Sequence, residues 1–330
     1  MKFRTEITIP KPAHRIEHPD KLFLIGSCFA EHMANKLQIA GFSVLNNPFG
    51  ELYNPVSIRD ALERMAGFSA LGEEDFVFRD GLWHSFYHHS SFSAPDKQQL
   101  QETIRQAAES GAQFLRQARY AFVTLGTAYV YRYRATGKIV ANCHKLPADR
   151  FDRFRLSLQE AEAALRDAVS FLRRLQPDMR IIFTVSPIRH LKDGLVENQR
   201  SKAVLLLAVE RVVRELPDCA YFPGYEILMD DLRDYRFYAD NLTHPAPAAV
   251  EYIWEKFSET YFTAACRAAV LEVEKLNRSV AHRPLHPCSE AFQRFAKQQL
   301  NLIARLKEKF SYLDLSRQEQ HFRSFLNNSD

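Results

Sequence analysis

Short apolar runs alternate with amphipathic stretches over most of the chain. Five of these runs are bounded by turn residues and predict buried strands, at 21–26, 42–47, 120–126, 180–187 and 219–223. Between them, apolar residues recur at helical spacing and predict helices, at 28–40, 56–66, 97–118, 156–175, 199–216 and 247–262. Strands separated by helices indicate βαβ units and a mostly parallel sheet.

Two segments do not fit this alternation. An aromatic stretch at 76–92 has no regular period, and we expect it to be irregular. The ribbon YVYRYR at 129–134 has the composition of a strand, and a turn at Thr136-Gly137 is expected to end it.

The pattern changes near residue 264, and only helical periodicity follows. We therefore expect an α/β domain over 1–264 and a helical extension over 265–330. The extension carries an apolar stripe, typical of a lid, of a surface packed on the α/β domain or of a homo-oligomer contact. The stripe consists of Phe292, Phe295, Leu300, Leu302, Ile303 and Leu306.

The composition is that of a globular protein. Of the 330 residues, 46% are hydrophobic and 25% are charged, which excludes a disordered or collagen-like chain. The formal net charge of +4 lies wholly in residues 265–330, which contain 11 basic and 7 acidic residues. This charge is too small and too local for the basic stripe of a nucleic-acid-binding protein, so no nucleic-acid partner is expected.

Cysteine usage and the first residues bear on the compartment. The cysteines are widely spaced and form no CxxC motif, which favours a reducing compartment over a disulfide framework. The first 21 residues contain no apolar signal-peptide core, and no run of 18 apolar residues predicts a membrane span. We expect a soluble, cytoplasmic protein without a membrane partner. The cysteines are Cys28, Cys143, Cys219, Cys266 and Cys288.

Polar residues collect where the predicted strands end. Ser27 follows the first strand, and His190 comes shortly after the fourth. Because parallel strands bring their carboxyl ends to one edge of a sheet, these residues predict a site there. Glycine is scarce, with 11 in the chain, yet three glycines end successive predicted strands or the loops after them: Gly26, Gly50 and Gly126.

Ser27 is the sharpest candidate nucleophile. A serine at a strand-to-helix turn displays its hydroxyl, and the helix N-terminus behind it favours anionic charge. The alternative is that Ser27 is only an N-cap. Cys28 is a rival nucleophile, or else a small residue of the core. His244, in a loop just ahead of a helix, is the candidate general base, with a surface or capping histidine as the alternative.

Two pairs of residues have the chemistry of metal ligands, namely His88-His89 and Cys143-His144. Neither pair occurs in an HxxxH or CxxC spacing, which structural and catalytic zinc sites use. We therefore expect no metal and no cofactor.

The run LIGSCFAEHMANKL contains the pentapeptide GSCFA. Together with NPFGELYNP, HSFYHHS, LGTAYVYR, VANCHKLP, TVSPIRH, ENQRSKAVLL and RDYRFYADNLTHP, it resembles the GSCFA-domain family over roughly residues 20–262. That family is similar to the SGNH/GDSL hydrolases. The resemblance implies a flavodoxin-like, three-layer, doubly wound parallel sheet, followed here by the helical extension. It also implies an esterase or acyltransferase activity.

The resemblance assigns roles to individual residues. Ser27 would be the nucleophile, and its N–H would be one donor to the oxyanion. Gly50 would supply a second N–H donor, and Gly126 matches the glycine after the third strand. The family's asparagine two residues later is Ala128 in this chain. Asn142 is our candidate for the missing side-chain donor.

His244 matches the family's histidine, which belongs to an Asp-x-x-His motif. This chain has Asn241 three residues before His244, with Asp240 one position further back. Three alternatives follow: Asp240 supports the imidazole, the protein works with a Ser–His dyad, or the activity is weakened or lost.

Further polar and aromatic residues in the matching motifs are candidates for substrate binding. Each of them has a structural network or a surface position as its alternative. The combined hypothesis is a serine hydrolase or acyltransferase for O-acyl or O-acetyl esters of a carbohydrate or small metabolite. The competing hypotheses are a non-catalytic carbohydrate- or ligand-binding protein on a degenerate scaffold, and cysteine chemistry at Cys28. The substrate-binding candidates are Tyr53, Asn54, His84, His88, Lys145, Arg189 and His190.

Overall fold

Ten strands are present in the computed structural model, which describes residues 4–282, 285–286 and 289–327. Five of them form one parallel sheet, and the other five form two small antiparallel sheets. In chain order the strands are β1 (Leu22–Gly26), β2 (Val44–Asn46), β3 (Phe76–Arg79), β4 (Leu82–Ser85), β5 (Tyr120–Leu125), β6 (Tyr129–Tyr133), β7 (Ile139–Val140), β8 (Phe151–Arg155), β9 (Arg180–Val185) and β10 (Cys219–Tyr221).

The parallel sheet has the order β2-β1-β5-β9-β10. Its strands are short apolar runs, and β1 and β5 are buried along their whole length because helices cover both faces. Counted within the sheet, the order is 2-1-3-4-5, which is that of flavodoxin-like doubly wound folds. The expected fold class is therefore confirmed, and its strand order reverses beside β1.

Helices cover both faces of this sheet. One apolar core joins the sheet to α2, α3, α4 and α5, and a second joins the opposite face to α1, α7 and α8. The helices are α1 (Cys28–Ile39), α2 (Pro55–Met65), α3 (Lys97–Leu115), α4 (Leu158–Leu175), α5 (Gly194–Glu215), α6 (Gly224–Glu226), α7 (Pro247–Tyr261), α8 (Ala264–Ala281), α9 (Glu290–Lys309) and α10 (Ser316–Asn327).

The aromatic stretch that was expected to be irregular contains the hairpin β3-β4. Its two-residue turn is Asp80-Gly81, and both residues have positive φ, as tight hairpin turns require. The hairpin region packs against the sheet β7-β6-β8 through Phe86, whose ring contacts Tyr133 and Phe151. These two antiparallel sheets are inserted in the chain after β2 and after β5, respectively.

The C-terminal helices α8, α9 and α10 share a core of their own. They dock on the far end of α1, where Asn277 Nδ2 donates to the carbonyl oxygen of Ile39 over 2.6 Å. Because α1 begins at Ser27 and ends at Ile39, this contact lies at the opposite edge of the sheet from Ser27. The expectation of a lid is therefore wrong for these helices, whereas packing on the α/β domain is observed.

Two further findings concern the described part of the chain. None of its helices is long and apolar enough to cross a bilayer. Cys28, Cys143, Cys219 and Cys266 are free thiols, and Cys288 lies outside the described residues.

Candidate active site

The turn from β1 into α1 fixes the position of Ser27. Gly26, the last residue of β1, has φ +141°, and a Cβ atom there would lie 2.0 Å from the carbonyl oxygen of Thr124 on β5. Only glycine allows this close approach of two strands. The next residue, Ser27, donates its N–H to the same carbonyl over 3.1 Å. Ser27 is thus held directly against the end of the central strand β5.

The hydroxyl group of Ser27 is not used as a helix cap. Ser27 stands at the N-cap of α1, but its side chain accepts no hydrogen bond from the helix, and its Oγ is buried without any partner. Ser157, at the N-cap of α4, does accept such a bond, from the N–H of Glu160. Ser27 therefore occupies the N-cap position, but its hydroxyl forms no capping bond and is uncommitted.

The backbone donors expected for an oxyanion are occupied in this structure. The N–H of Ser27 bonds to Thr124, and the N–H of Gly50 donates to the carbonyl oxygen of Asn47 over 2.8 Å. Gly50 itself has φ +84° and lies against the Cβ of His89. Both N–H groups would have to leave these carbonyl oxygens before they could bind an oxyanion.

Asn142 is engaged elsewhere as well. Its Nδ2 donates to Ser90 Oγ over 3.3 Å, and its Oδ1 accepts the N–H of His144 over 2.9 Å. Ala128, at the position of the family's asparagine, is fully buried, and its N–H donates to Ser201 Oγ. Because Ser27 Oγ has no partner, the structure does not bring Asn142 into contact with it.

His244 is held by the short loop that precedes α7. Asn241 Oδ1 accepts the N–H groups of Thr243 and His244, each over 3.0 Å. Asn241 Nδ2 lies 2.8 Å from His244 Nδ1. Asp240 is exposed and makes no hydrogen bond or ion pair with the described residues. Of the two candidates, Asn241 and not Asp240 therefore contacts the imidazole.

This loop lies at the same sheet edge as Ser27. The carbonyl oxygen of Thr243 accepts the N–H of Arg189, just beyond the end of β9, over 3.0 Å. The pKa of His190 is lowered to about 4 by burial, and the charges of Lys202, Arg153 and His244 lower it further. Burial also lowers the pKa of His32 on α1, and His244 adds to this effect. His244 is thus close enough to His190, beyond the end of β9, and to His32, on α1, to act on both.

Tyr53 connects the Ser27 turn with His190. Its hydroxyl donates to Glu51 Oε2 over 2.7 Å and lies 3.5 Å from Cys28 Sγ, while its ring contacts His190 edge-on at 5.6 Å. Burial raises the pKa of the Cys28 thiol to about 11. A thiol that stays protonated at neutral pH is a poor nucleophile, so the geometry disfavours cysteine chemistry at Cys28.

Lys202, on α5, is a residue of this edge that the sequence reasoning missed. It is 1% exposed, and its Nζ donates to the carbonyl oxygens of Gly126 and Ser186 over 2.7 Å each. Burial lowers its pKa to about 7. The sequence did contain a signal, because Asn198, Ser201 and Lys202 occupy the same helical stripe as the buried Leu205.

Three of the substrate-binding candidates form hydrogen bonds within the protein. Asn54 caps α2 by accepting the N–H of Ser57, and His84 bonds to Ser93 Oγ and to the carbonyl of Arg79. His88 is 1% exposed, bonds to Ser85 Oγ, and has its pKa lowered to about 3, chiefly by burial. The side chains of Asn54 and His84 are thus engaged within the fold, whereas the buried Nε2 of His88 has no hydrogen-bond partner. Lys145 is exposed in a left-handed conformation.

Arg189 remains available at the site edge. Its guanidinium lies 4.0 Å from the ring centroid of Tyr238 and 5.6 Å from that of Tyr235, and it forms no ion pair with the described residues. The three side chains line a cleft of about 130 Å³ next to the His244 loop. A cavity of about 670 Å³, lined by Lys21 and Arg119 among others, lies at the opposite, amino-terminal edge of the sheet. No group of three potential metal ligands occurs in the described ranges.

Comparisons with known proteins place the chain in a family. The model of the GSCFA family matches residues 21–257, and that of the GSCFA domain protein C-terminal domain matches 273–328. A search of curated proteins finds no match.

Solved structures give distant likenesses. The Clostridium thermocellum family 3 carbohydrate esterase matches at 9% identity and a TM-score of 0.36, over 76% of this chain and 99% of that chain. The acetyl xylan esterase Est2A from Butyrivibrio proteoclasticus matches at 11% identity and a TM-score of 0.38, over 75% of this chain and 64% of that chain. The periplasmic domain of the lipopolysaccharide acetyltransferase of Salmonella ser. Paratyphi A matches at 13% identity and a TM-score of 0.36, over 74% of this chain and 84% of that chain.

Proposed function

We propose that this chain, which belongs to the GSCFA family, is a serine ester hydrolase or acyltransferase with Ser27 as nucleophile and His244 as its proton acceptor. The observation that carries the proposal is the uncommitted hydroxyl of Ser27. It is buried at the N-terminus of α1, at the carboxyl edge of the sheet, with no hydrogen-bond partner. A buried hydroxyl without a partner costs free energy, and a catalytic role is one explanation for such a group.

The reaction would follow the course of other serine acyl transfers. Ser27 Oγ attacks the carbonyl carbon of an ester, its proton passes to Nε2 of a His244 tautomer that carries its own proton on Nδ1, and the carbonyl π electrons move onto the oxygen. The tetrahedral intermediate then expels the alcohol, which takes the proton back from His244. Water or a second alcohol repeats the sequence on the acyl-serine. The dipole of α1 favours the negative charge that develops beside Ser27.

An oxyanion hole would have to form during this reaction. The N–H of Ser27 bonds to Thr124 and that of Gly50 bonds to Asn47 in this structure. Each donor that reaches an oxyanion contributes about 3 kcal/mol to the transition state. We propose that substrate binding moves the loop that carries Gly50, so that its N–H turns from Asn47 toward the substrate.

The proposed substrates are O-acyl esters, with O-acetyl esters of a carbohydrate or small metabolite first among them. Tyr53 and His190 present aromatic and polar groups beside the Ser27 turn. The guanidinium of Arg189, which lies over the ring of Tyr238 and near that of Tyr235, offers hydrogen-bond donors to a hydroxyl, carbonyl or anionic group of the alcohol part.

A second candidate function is ligand binding without catalysis. The observation that favours it is Asn241, which stands where a carboxylate would support His244 and contacts Nδ1 through its amide NH₂ group. With the backbone donors of Ser27 and Gly50 also occupied, the site would hold an ester or sugar without turning it over.

A covalent probe separates the two functions. The folded protein is treated with a fluorophosphonate, and intact mass spectrometry and peptide mapping locate the adduct. The enzyme hypothesis predicts one adduct on Ser27, loss of labelling in Ser27→Ala, and hydrolysis of p-nitrophenyl acetate that depends on both Ser27 and His244. Ser157→Ala, which removes a serine whose hydroxyl is engaged as the cap of α4, serves as the matched control. A folded wild-type protein in which Ser27 stays unlabelled even after prolonged exposure to the probe would favour ligand binding.

A further inference from the structure

The side-chain amide of Asn241 has only one orientation that satisfies its surroundings. Its Oδ1 accepts the backbone N–H groups of Thr243 and His244 and faces the hydroxyl of Thr243, with all three donors at 3.0 Å. If the amide were turned over, its NH₂ group would face two N–H groups that cannot move. Both N–H groups would then lose their acceptor and face the hydrogens of the NH₂ group. The NH₂ group therefore points toward His244.

This orientation decides where a neutral His244 carries its proton. Asn241 Nδ2 lies 2.8 Å from Nδ1 of the imidazole and can only donate. The Thr243 hydroxyl, whose one proton goes to Asn241 Oδ1, also lies 3.0 Å from Nδ1. If Nδ1 carried the proton, its N–H group and an N–H group of Asn241 Nδ2 would point at each other across 2.8 Å. We infer that Asn241 holds neutral His244 with its proton on Nε2, so that the resting site lacks a base for Ser27 and transfers acyl groups slowly.

The inference deepens the proposed function and rests on it for its kinetic part. An Nε2 that carries a proton has no lone pair for the proton of Ser27, so bond formation between Ser27 Oγ and the ester carbon is left unassisted. In the serine proteases, replacing the triad aspartate by asparagine gives this wrong tautomer and lowers kcat by about 10⁴. Asn241 acts through His244 and is thus a positioning residue.

Asn241→Asp reverses the arrangement with almost no change of shape. One carboxylate oxygen keeps the N–H groups of Thr243 and His244, and the other replaces the amide NH₂ beside Nδ1. Because a carboxylate only accepts, it favours the proton on Nδ1 and leaves the lone pair of Nε2 toward Ser27. We expect kcat for p-nitrophenyl acetate to rise at least tenfold, with little change in KM.

The tautomer is measured directly by NMR. In ¹⁵N-histidine-labelled protein, with His244 assigned by comparison with His244→Gln, the wild-type shifts should report a proton on Nε2 and those of Asn241→Asp a proton on Nδ1. The matched control is the double variant Asp240→Asn, Asn241→Asp, which keeps the wild-type net charge and should keep the gain in rate. Thermal unfolding of each variant checks that the fold is retained.

The outcomes separate this inference from the proposed function. A wild-type proton on Nδ1 overturns the inference whatever the activity. In a second outcome, the proton of His244 moves to Nδ1 in Asn241→Asp and a fluorophosphonate still labels Ser27, but kcat does not rise. This outcome overturns the kinetic part of the inference. If neither protein is labelled at Ser27, the proposed function fails, and the NMR result still decides the position of the proton.

Discussion

Lys202 Nζ donates a 2.7 Å hydrogen bond to the carbonyl oxygen of Gly126 from a side chain that is fully buried. A second bond of the same length reaches Ser186, so this one group ties the carboxyl ends of β5 and β9 together. It makes no ion pair with the described residues. A buried ammonium without a carboxylate is costly, and the cost has a consequence for stability.

We expect the free energy of unfolding to rise with pH because of Lys202. Its pKa is about 7 in the folded protein and 10.5 in a model peptide. Between these values the unfolded chain holds a proton that the folded chain has lost, so stability increases by up to about 1.4 kcal/mol per pH unit. Below about pH 7 both states are charged and the effect vanishes.

Urea unfolding of the wild type and of Lys202→Met at pH 7, 8 and 9 tests this. The wild type should gain stability relative to the variant over that range. Lys275→Met, which removes an exposed lysine of α8, should leave the wild-type slope unchanged. If the free energy of unfolding changed with pH equally in the wild type and in Lys202→Met, the expectation would be contradicted.

Acid should destabilise the fold through His88. The ring is buried against Phe49 at a centroid distance of 4.5 Å, and its pKa is lowered to about 3, with burial as the main cause. As pH falls from 6.5 toward 3, the unfolded chain binds a proton that the folded chain does not, so stability falls by up to about 1.4 kcal/mol per pH unit.

His88→Gln removes this titration. Between pH 6.5 and 5, the wild type should lose about 2 kcal/mol more than the variant in urea unfolding, whatever their difference at pH 7. His14→Gln, at an exposed position, is the control and should behave as the wild type. Equal losses for the wild type and His88→Gln would show that His88 is not the acid-sensitive group.

The sequence predicted the parallel sheet well because its strands are buried on both faces. A strand such as β5 is apolar at nearly every position, so it is visible without knowledge of its neighbours. Strand β8, FDRFR, was missed since its strand conformation depends on pairing with β6. The turn Asp80-Gly81 was a readable hairpin signal that the aromatic residues around it obscured.

The candidate site also has a part that the sequence predicts and a part that it does not. The edge that carries Ser27 and His244 follows from where parallel strands end, which a pattern reveals. Hydrogen-bond partners depend on loop geometry. The spacing of residues alone could not decide whether Asp240 or Asn241 supports the imidazole of His244. Lys202 was missed because a lysine is expected to face water, and only the two carbonyl oxygens above it explain its burial.

Gly26→Ala should be among the most damaging single substitutions in the protein. A methyl group there would lie 2.0 Å from the Thr124 carbonyl oxygen, at φ +141°, where other residues are strained. Strands β1 and β5 must then move apart, and we expect a loss of at least about 3 kcal/mol in urea unfolding. Gly137→Ala is the matched control, since Gly137 has φ +69° but no atom within 4 Å of the new methyl group, and it should cost only about 1 kcal/mol. Because Ser27 donates to the same carbonyl, a loss for Gly26→Ala no larger than that of Gly137→Ala would mean that Thr124 does not fix the Ser27 turn.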